Sequence, residues 1–327
     1  MGLFDFLFAK KAKPRVEASL PVAAARAPLL EDKFFTLDKP YWFGQYRRSP
    51  SGRWIVSWRD TDPAGTRGGH RASGKGSYLL YDWLNKRVVL KDHLERPNNG
   101  HVSDAGIFVL EDWHFGSALS GTLHAFGPQG QQILKRTFSA NLITSAISRS
   151  GQFAVCQTAN SQTEDGHSLF LFDLQSGEQK FARKPSAGWT MDYTIDEARI
   201  EVIAHIKGLG EFRYDQMGQF LDSEALEEAT LQGGDYSAVI LLAERLLQRD
   251  DLTSARTNQI LKAIERARRE GADANSGWKA AALKVTGMAC EALGDPIQAI
   301  VAYEQAIEIN PKVGAKRRLA ALQKRKL

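Results

Sequence analysis

Cysteine is nearly absent from this chain of 327 residues, with Cys156 and Cys290 the only two. They fall in segments of different character, so no disulfide is expected between them, and each reads as a small buried hydrophobe. That usage suits a reducing compartment, and the expected location is the cytosol. Long apolar runs are also missing. The cleanest, Ala238 to Ala243, falls well short of the roughly 20 residues that a membrane-spanning helix needs. The apolar fraction of 43% and charged fraction of 25% are ordinary for a globular protein. They exclude a collagen-like chain, wholesale disorder and a disulfide scaffold.

Catalytic and metal-binding patterns are scarce as well. None of the seven histidines (His70, His93, His101, His114, His124, His167, His205) stands at a metal-ligand spacing from another His or a Cys. His101 and His114 are the one pair that could converge. There is no Gly-x-Ser-x-Gly and no P-loop. The Gly-rich basic stretch Arg67-Gly68-Gly69-His70-Arg71-Ala72-Ser73-Gly74-Lys75-Gly76 leads into a strand, not a helix. It reads as a long inter-strand loop, with contact to an anionic partner as the alternative. No catalytic residue, metal or cofactor is expected.

Charge is present but unevenly spread. Residues 312–327 carry +7 and residues 1–15 carry +3, which leaves −5 of the net +5 to the body of the chain. Polyanion contact is therefore expected at the termini and not in the core. In the tail it is assigned to Arg317, Arg318, Arg325 and Lys326, with a solvated helix face as the plainer reading.

The first residues, MGLFDFLFAKKAK, put their charges after the apolar residues and interrupt these with Asp5, the reverse of a secretory signal. Leu3, Phe4, Phe6, Leu7 and Phe8 suit a short amphipathic segment (1–11) that docks on protein or reversibly on a membrane surface. Residue 6 is Phe, so the myristoylation pattern fails. A Pro- and Ala-rich linker follows at 12–33.

From 34 to 222 the chain reads as short strands separated by turns, with no sustained helical period. The order repeats. A turn (Ser49-Pro50-Ser51-Gly52, Ser103-Asp104-Ala105-Gly106, Ser148-Arg149-Ser150-Gly151) precedes an apolar strand. A later strand ends in Asp or Gly at Tyr81-Asp82, Phe126-Gly127, Phe172-Asp173 and Tyr214-Asp215, and a hairpin follows. The glycine anchors are 54 and 45 residues apart, a period that suits sheet-sized units.

These units resemble degenerate blades of the WD40-like or quinoprotein-like β-propeller superfamily. The Ser-x-Ser-Gly turn and the hairpin Leu171-Phe172-Asp173-Leu174-Gln175-Ser176-Gly177 carry the resemblance, although the Gly-His and Trp-Asp signatures are missing. It implies a β-propeller-like domain of about four units, a ring that is small, incomplete or completed by another chain. A β-sandwich or irregular sheet is the competing reading. Most of the tryptophans at 42, 54, 58, 83, 113 and 189 are expected to pack between units, with some on a face that anchors a partner.

From 223 the composition turns to Ala, Leu, Glu, Arg and Gln. Helices are expected at 223–231, 235–249, 253–270, 277–293, 296–309 and 313–325. Residues 280–313 resemble a tetratricopeptide repeat through Leu283, Gly287, Gly294-Asp295, Ala299, Tyr303, Ala306 and Pro311, while Thr286 and Cys290 depart from the pattern. The resemblance implies a helical domain over 223–327 with a concave peptide groove lined by Ala281, Lys284, Met288 and Glu291.

The fold expected is thus multidomain β plus α. The function expected is a bacterial-type, non-catalytic adaptor or assembly subunit of a cytosolic complex, with peripheral inner-membrane contact as a further option. Its partners would be other proteins, including a peptide segment in the helical groove. Two alternatives stand beside it: an enzyme, hydrolase or lyase, using a pocket of the β region, and a nucleic-acid accessory factor acting through the basic tail.

Overall fold

A computed structural model describes residues 27–61, 73–117, 119–190 and 192–325. The N-terminal docking residues Leu3, Phe4, Phe6, Leu7 and Phe8, together with Lys326, lie outside them. Among the described residues seventeen strands form four antiparallel sheets, and helices follow.

The first sheet runs in chain order through β1 (Leu29–Leu30), β2 (Phe34–Leu37), β3 (Trp42–Arg48), β4 (Trp54–Arg59), β5 (Gly76–Asp82) and β6 (Arg87–Leu94). The last residues of the expected linker therefore belong to this sheet. The second holds β7 (Pro97–Val102), β8 (Phe108–Trp113), β9 (Gly121–Phe126) and β10 (Gln132–Phe138). The third holds β11 (Leu142–Ile147), β12 (Phe153–Thr158), β13 (Leu169–Asp173) and β14 (Gln179–Arg183), and the fourth β15 (Tyr193–Asp196), β16 (Glu201–Ile206) and β17 (Gly210–Tyr214).

The sheets pack face to face in succession. Trp54, Val56 and Tyr78 of the first meet Phe108, Leu110 and Phe126 of the second. Val109, Leu123 and Phe138 meet Ala154, Cys156 and Phe170 of the third. Val155, Leu169 and Leu171 meet Tyr193, Val202 and Tyr214 of the fourth. Middle strands buried on both faces explain why β4, β8 and β12 read as nearly continuous apolar runs. Among the described residues no sheet closes on itself and no ring is closed.

The repeated serine turns stitch one end of the stack. In each, the glycine N–H donates to the serine carbonyl, and the glycines take the left-handed conformation, with φ of 76°, 79° and 89° at Gly52, Gly106 and Gly151. Asp104 of the second sheet's turn accepts from the Ser51 N–H at 2.6 Å, and Arg149 of the third donates to Asp104 at 2.8 Å. Glu197, at the fourth turn, accepts from the Ser150 N–H at 2.7 Å.

In the fourth turn the left-handed residue is Ile200, with φ of 57°. A β-branched residue is poorly suited to that region. Because Ile200 also packs against the core, its replacement mixes two effects. Comparing Ile200→Gly with Ile200→Ala separates them, since both lose the packing. The glycine variant is expected to be more stable by about 1 kcal/mol. An alanine variant as stable as the glycine variant in chemical denaturation would contradict the assigned strain.

The helical region comprises α1 (Ser223–Gly233), α2 (Tyr236–Leu246), α3 (Ser254–Arg269), a 3-10 turn (Ala272–Ala274), α4 (Ser276–Ala292), α5 (Pro296–Ile309) and α6 (Lys316–Arg325). Side chains cap four of the helices. Asp235, Thr253, Asn275 and Asp295 accept from backbone N–H groups in the first turns of α2, α3, α4 and α5. Val239, Ile240, Ile260, Ile264 and Val285 centre one core. Met288, Ala299, Tyr303, Ala315 and Leu322 centre a second.

Candidate functional site

The two regions meet through a short, tightly bonded passage. After β17, Asp215 accepts from the N–H groups of Met217 and Gln219, turning the chain back so that Phe220 bridges to Tyr214, with the two rings tilted and their centroids 4.8 Å apart. Asp222 then takes a bidentate grip from Arg213, at 3.0 Å from Nε and 2.8 Å from Nη2, and a third bond from the Arg213 backbone at 2.7 Å. The Arg213 guanidinium holds the Asp222 carboxyl below its ordinary value, against a burial effect that opposes it. Ser223 begins α1 at this point, so the sheet end and the first helix are held in one geometry.

A cleft of about 540 Å³ opens at this junction. Its apolar lining includes Phe220, Leu226, Leu241 and Leu242, and Leu241 is 60% exposed. Its charged rim comprises Arg245 and Arg249, both bonded to the buried Glu227, at 3.2 Å from Arg245 Nη2 and 3.1 Å from Arg249 Nη1. Two arginines stand against one lining carboxylate, so the rim carries an excess of positive charge.

The residues assigned to a peptide groove occupy different surroundings. Ala281 packs against the first helical core. Lys284 donates to Glu244 of α2 at 2.6 Å. Met288 is 4% exposed and belongs to the second core, so it stands in packing and not on an open face. Glu291 accepts from the Tyr303 hydroxyl at 2.9 Å and from Arg318 at 3.0 Å. Arg318, one of the tail residues assigned to polyanion contact, is thus ion-paired within the protein, whereas Arg317 is exposed. The Arg325 side chain lies outside the described residues.

His101 and His114 do not meet. His101 stands opposite Val109 in β7, where burial and the charge of Arg47 push it down to about 3. His114 lies past the far end of β8 and bonds Ser120 and Thr122 at 3.0 and 2.9 Å. Glu111, fully buried on β8, accepts from Asn99 at 2.9 Å and Ser145 at 2.8 Å. Burial raises its carboxyl against those bonds. Trp42, Trp54 and Trp58 are buried between strands, while Trp189 is 59% exposed beside His167. Neither the arginine-rimmed cleft nor its exposed Leu241 was named from the sequence. The signal available was a single apolar residue on the charged side of α2.

No family model and no curated protein matches the chain. Solved structures do match. One is the crystal structure of a computationally designed protein, Ika8, similar over 54% of this chain at 14% identity and a TM-score of 0.35. The match spans 46% of that protein's length. At that score the likeness carries no argument, and a functional reading rests on the geometry above.

Proposed function

We propose that the chain is a non-catalytic adaptor or assembly subunit that binds partner proteins. In this reading the four sheets are an open, propeller-like array, and α4 with α5 is a tetratricopeptide-like hairpin. The observation that carries the reading is the junction cleft. An exposed leucine stands over an apolar floor beside two arginines, which suits an apolar segment with acidic residues in a partner protein. No described helix is long and apolar enough to cross a membrane. A cytosolic place of work, with any membrane contact left to the first residues, fits that reading.

The test is capture from native lysate with the full chain, comparing the wild type with Leu241→Asp combined with Arg245→Gln. Both side chains are exposed, at 60% for Leu241 and 65% for Arg245, and Arg249 still bonds Glu227 in the variant, so stability should change by no more than about 1 kcal/mol. Retention of the principal partner is expected to fall at least about tenfold, the scale of an interface anchor. Unchanged capture by the folded variant would remove the junction cleft from the reading.

A further inference from the structure

The packed face between the first two sheets changes character at one end. On β8 the residues facing the first sheet run Phe108, Leu110, Asp112. On β9 they run Phe126, His124, Thr122. Phe108 pairs with Phe126, Leu110 with His124 and Asp112 with Thr122. Phe108, Leu110 and Phe126 lie in the apolar seam with Tyr78. One residue pair further, the seam gives way to polar groups, and a cleft of about 600 Å³ opens. Lys135 and Thr137 extend it across β10, opposite His124 and Thr122. Lys75, His93 and Glu95 border it from the first sheet and the crossover, and His114 from beyond β8.

Most acceptors in this cleft are already engaged. Asp112 accepts from the N–H groups of Arg96 at 2.6 Å and Glu95 at 3.3 Å. Glu95 accepts from the Phe115 N–H at 2.8 Å. His114 and Thr122 bond each other, and Thr122 bonds Thr137 at 2.9 Å. Three groups are left with unused capacity. Lys75 and Lys135 are exposed and pair with no carboxylate among the described residues. His124, 5% exposed and stacked on Phe126, has its Nε2 at 3.6 Å from Asp112, and its buried Nδ1 has no partner. A buried polar atom without a partner is costly and calls for an explanation.

We propose that this cleft is a binding site for the phosphate group of a small ligand, held by Lys75 and Lys135 and completed by His124 Nδ1. Two cations on opposite borders suit a compact, multiply charged oxyanion. The volume is that of a small-molecule site. With Nε2 turned to Asp112, Nδ1 is the ring nitrogen left for a ligand.

The experiment uses the full chain with three probes: inorganic phosphate, phenyl phosphate, and sulfate, whose charge is constant across the working pH range. Binding is followed by calorimetry and by the imidazole NMR signals. Saturable shifts are expected at His93 and His124 and not at His167 or His205. Lys75→Gln with Lys135→Gln should weaken binding about tenfold or more, the scale of lost charge-assisted hydrogen bonds. Both lysines are exposed, so the variant keeps its fold. His124→Gln should weaken the binding of all three probes. Tighter binding of phenyl phosphate than of phosphate marks an ester as the ligand, and the reverse marks the free ion. Binding unaffected by the double lysine substitution, or shifts confined to other histidines, overturns the proposal.

Discussion

Replacing Tyr303 with alanine is expected to lower stability by about 3–5 kcal/mol, the range for losing a large buried aromatic side chain. Tyr303 is fully buried, and its ring sits directly over Gly287, where an added Cβ would lie 2.5 Å from the ring. Its hydroxyl also donates to Glu291, so the truncation removes one of the partners that hold that carboxylate. The glycine and the tyrosine are therefore one device for bringing α4 and α5 close together. Gly287→Ala alone should cost about 1–3 kcal/mol through overpacking. In the Tyr303→Ala background the clash is gone, and Gly287→Ala should instead stabilise by about 1 kcal/mol, the helix-propensity difference. Urea unfolding followed by far-UV circular dichroism gives all four corners of the cycle. Additive effects would mean that the two residues do not share the contact assigned to them.

That device was readable in the sequence because its parts are local. Gly287, Ala299, Tyr303 and Ala306 lie within one helical hairpin, and the capping residues Asp235, Thr253, Asn275 and Asp295 stand immediately before their helices. The apolar middle strands and their glycine turns were readable for the same reason. The strands β7, β11 and β15 were not. Their sequences, PNNGHV, LITSAI and YTID, are mixed in polarity. The polar groups of β7 and β11 meet Glu111, through Asn99 and Ser145, while Tyr193 of β15 bonds Gln157. Only the assembled stack supplies those partners, so period-2 reading misses them. The surroundings of the groove residues were hidden for a related reason. Repeat geometry implied a free concave face, but Glu244 of α2 takes Lys284, Leu322 of α6 packs in the core with Met288, and Arg318 takes Glu291. Each partner comes from 27 or more residues away. The cleft histidines share this non-local origin. His124 and Lys135 become neighbours only through the register of β9 with β10.

The same pairing of glycine and aromatic recurs in the sheet stack, and there it should respond differently. Trp54, 7% exposed, donates from Nε1 to the Asp104 carbonyl at 3.2 Å, and its indole covers Gly106 of the next turn, where an added Cβ would lie 2.9 Å from the ring. Trp54→Ala is expected to cost about 3–5 kcal/mol, because it empties the seam between the first two sheets and removes one of the bonds that stitch their turns. Gly106→Ala should also destabilise, through two separable effects. One is the overlap with the indole. The other is the backbone, since φ of 79° disfavours any residue with a Cβ by about 1–2 kcal/mol. Removing Trp54 relieves the first and leaves the second. Gly106→Ala should therefore remain destabilising by about 1–2 kcal/mol in the Trp54→Ala background, whereas Gly287→Ala changes sign once Tyr303 is gone. Gly287 sits inside a helix at ordinary dihedrals and is there for space alone. Gly106 is required both for space and for the turn. A stabilising Gly106→Ala in the truncated background, measured by the same denaturation cycle, would show that the left-handed turn contributes nothing to the seam.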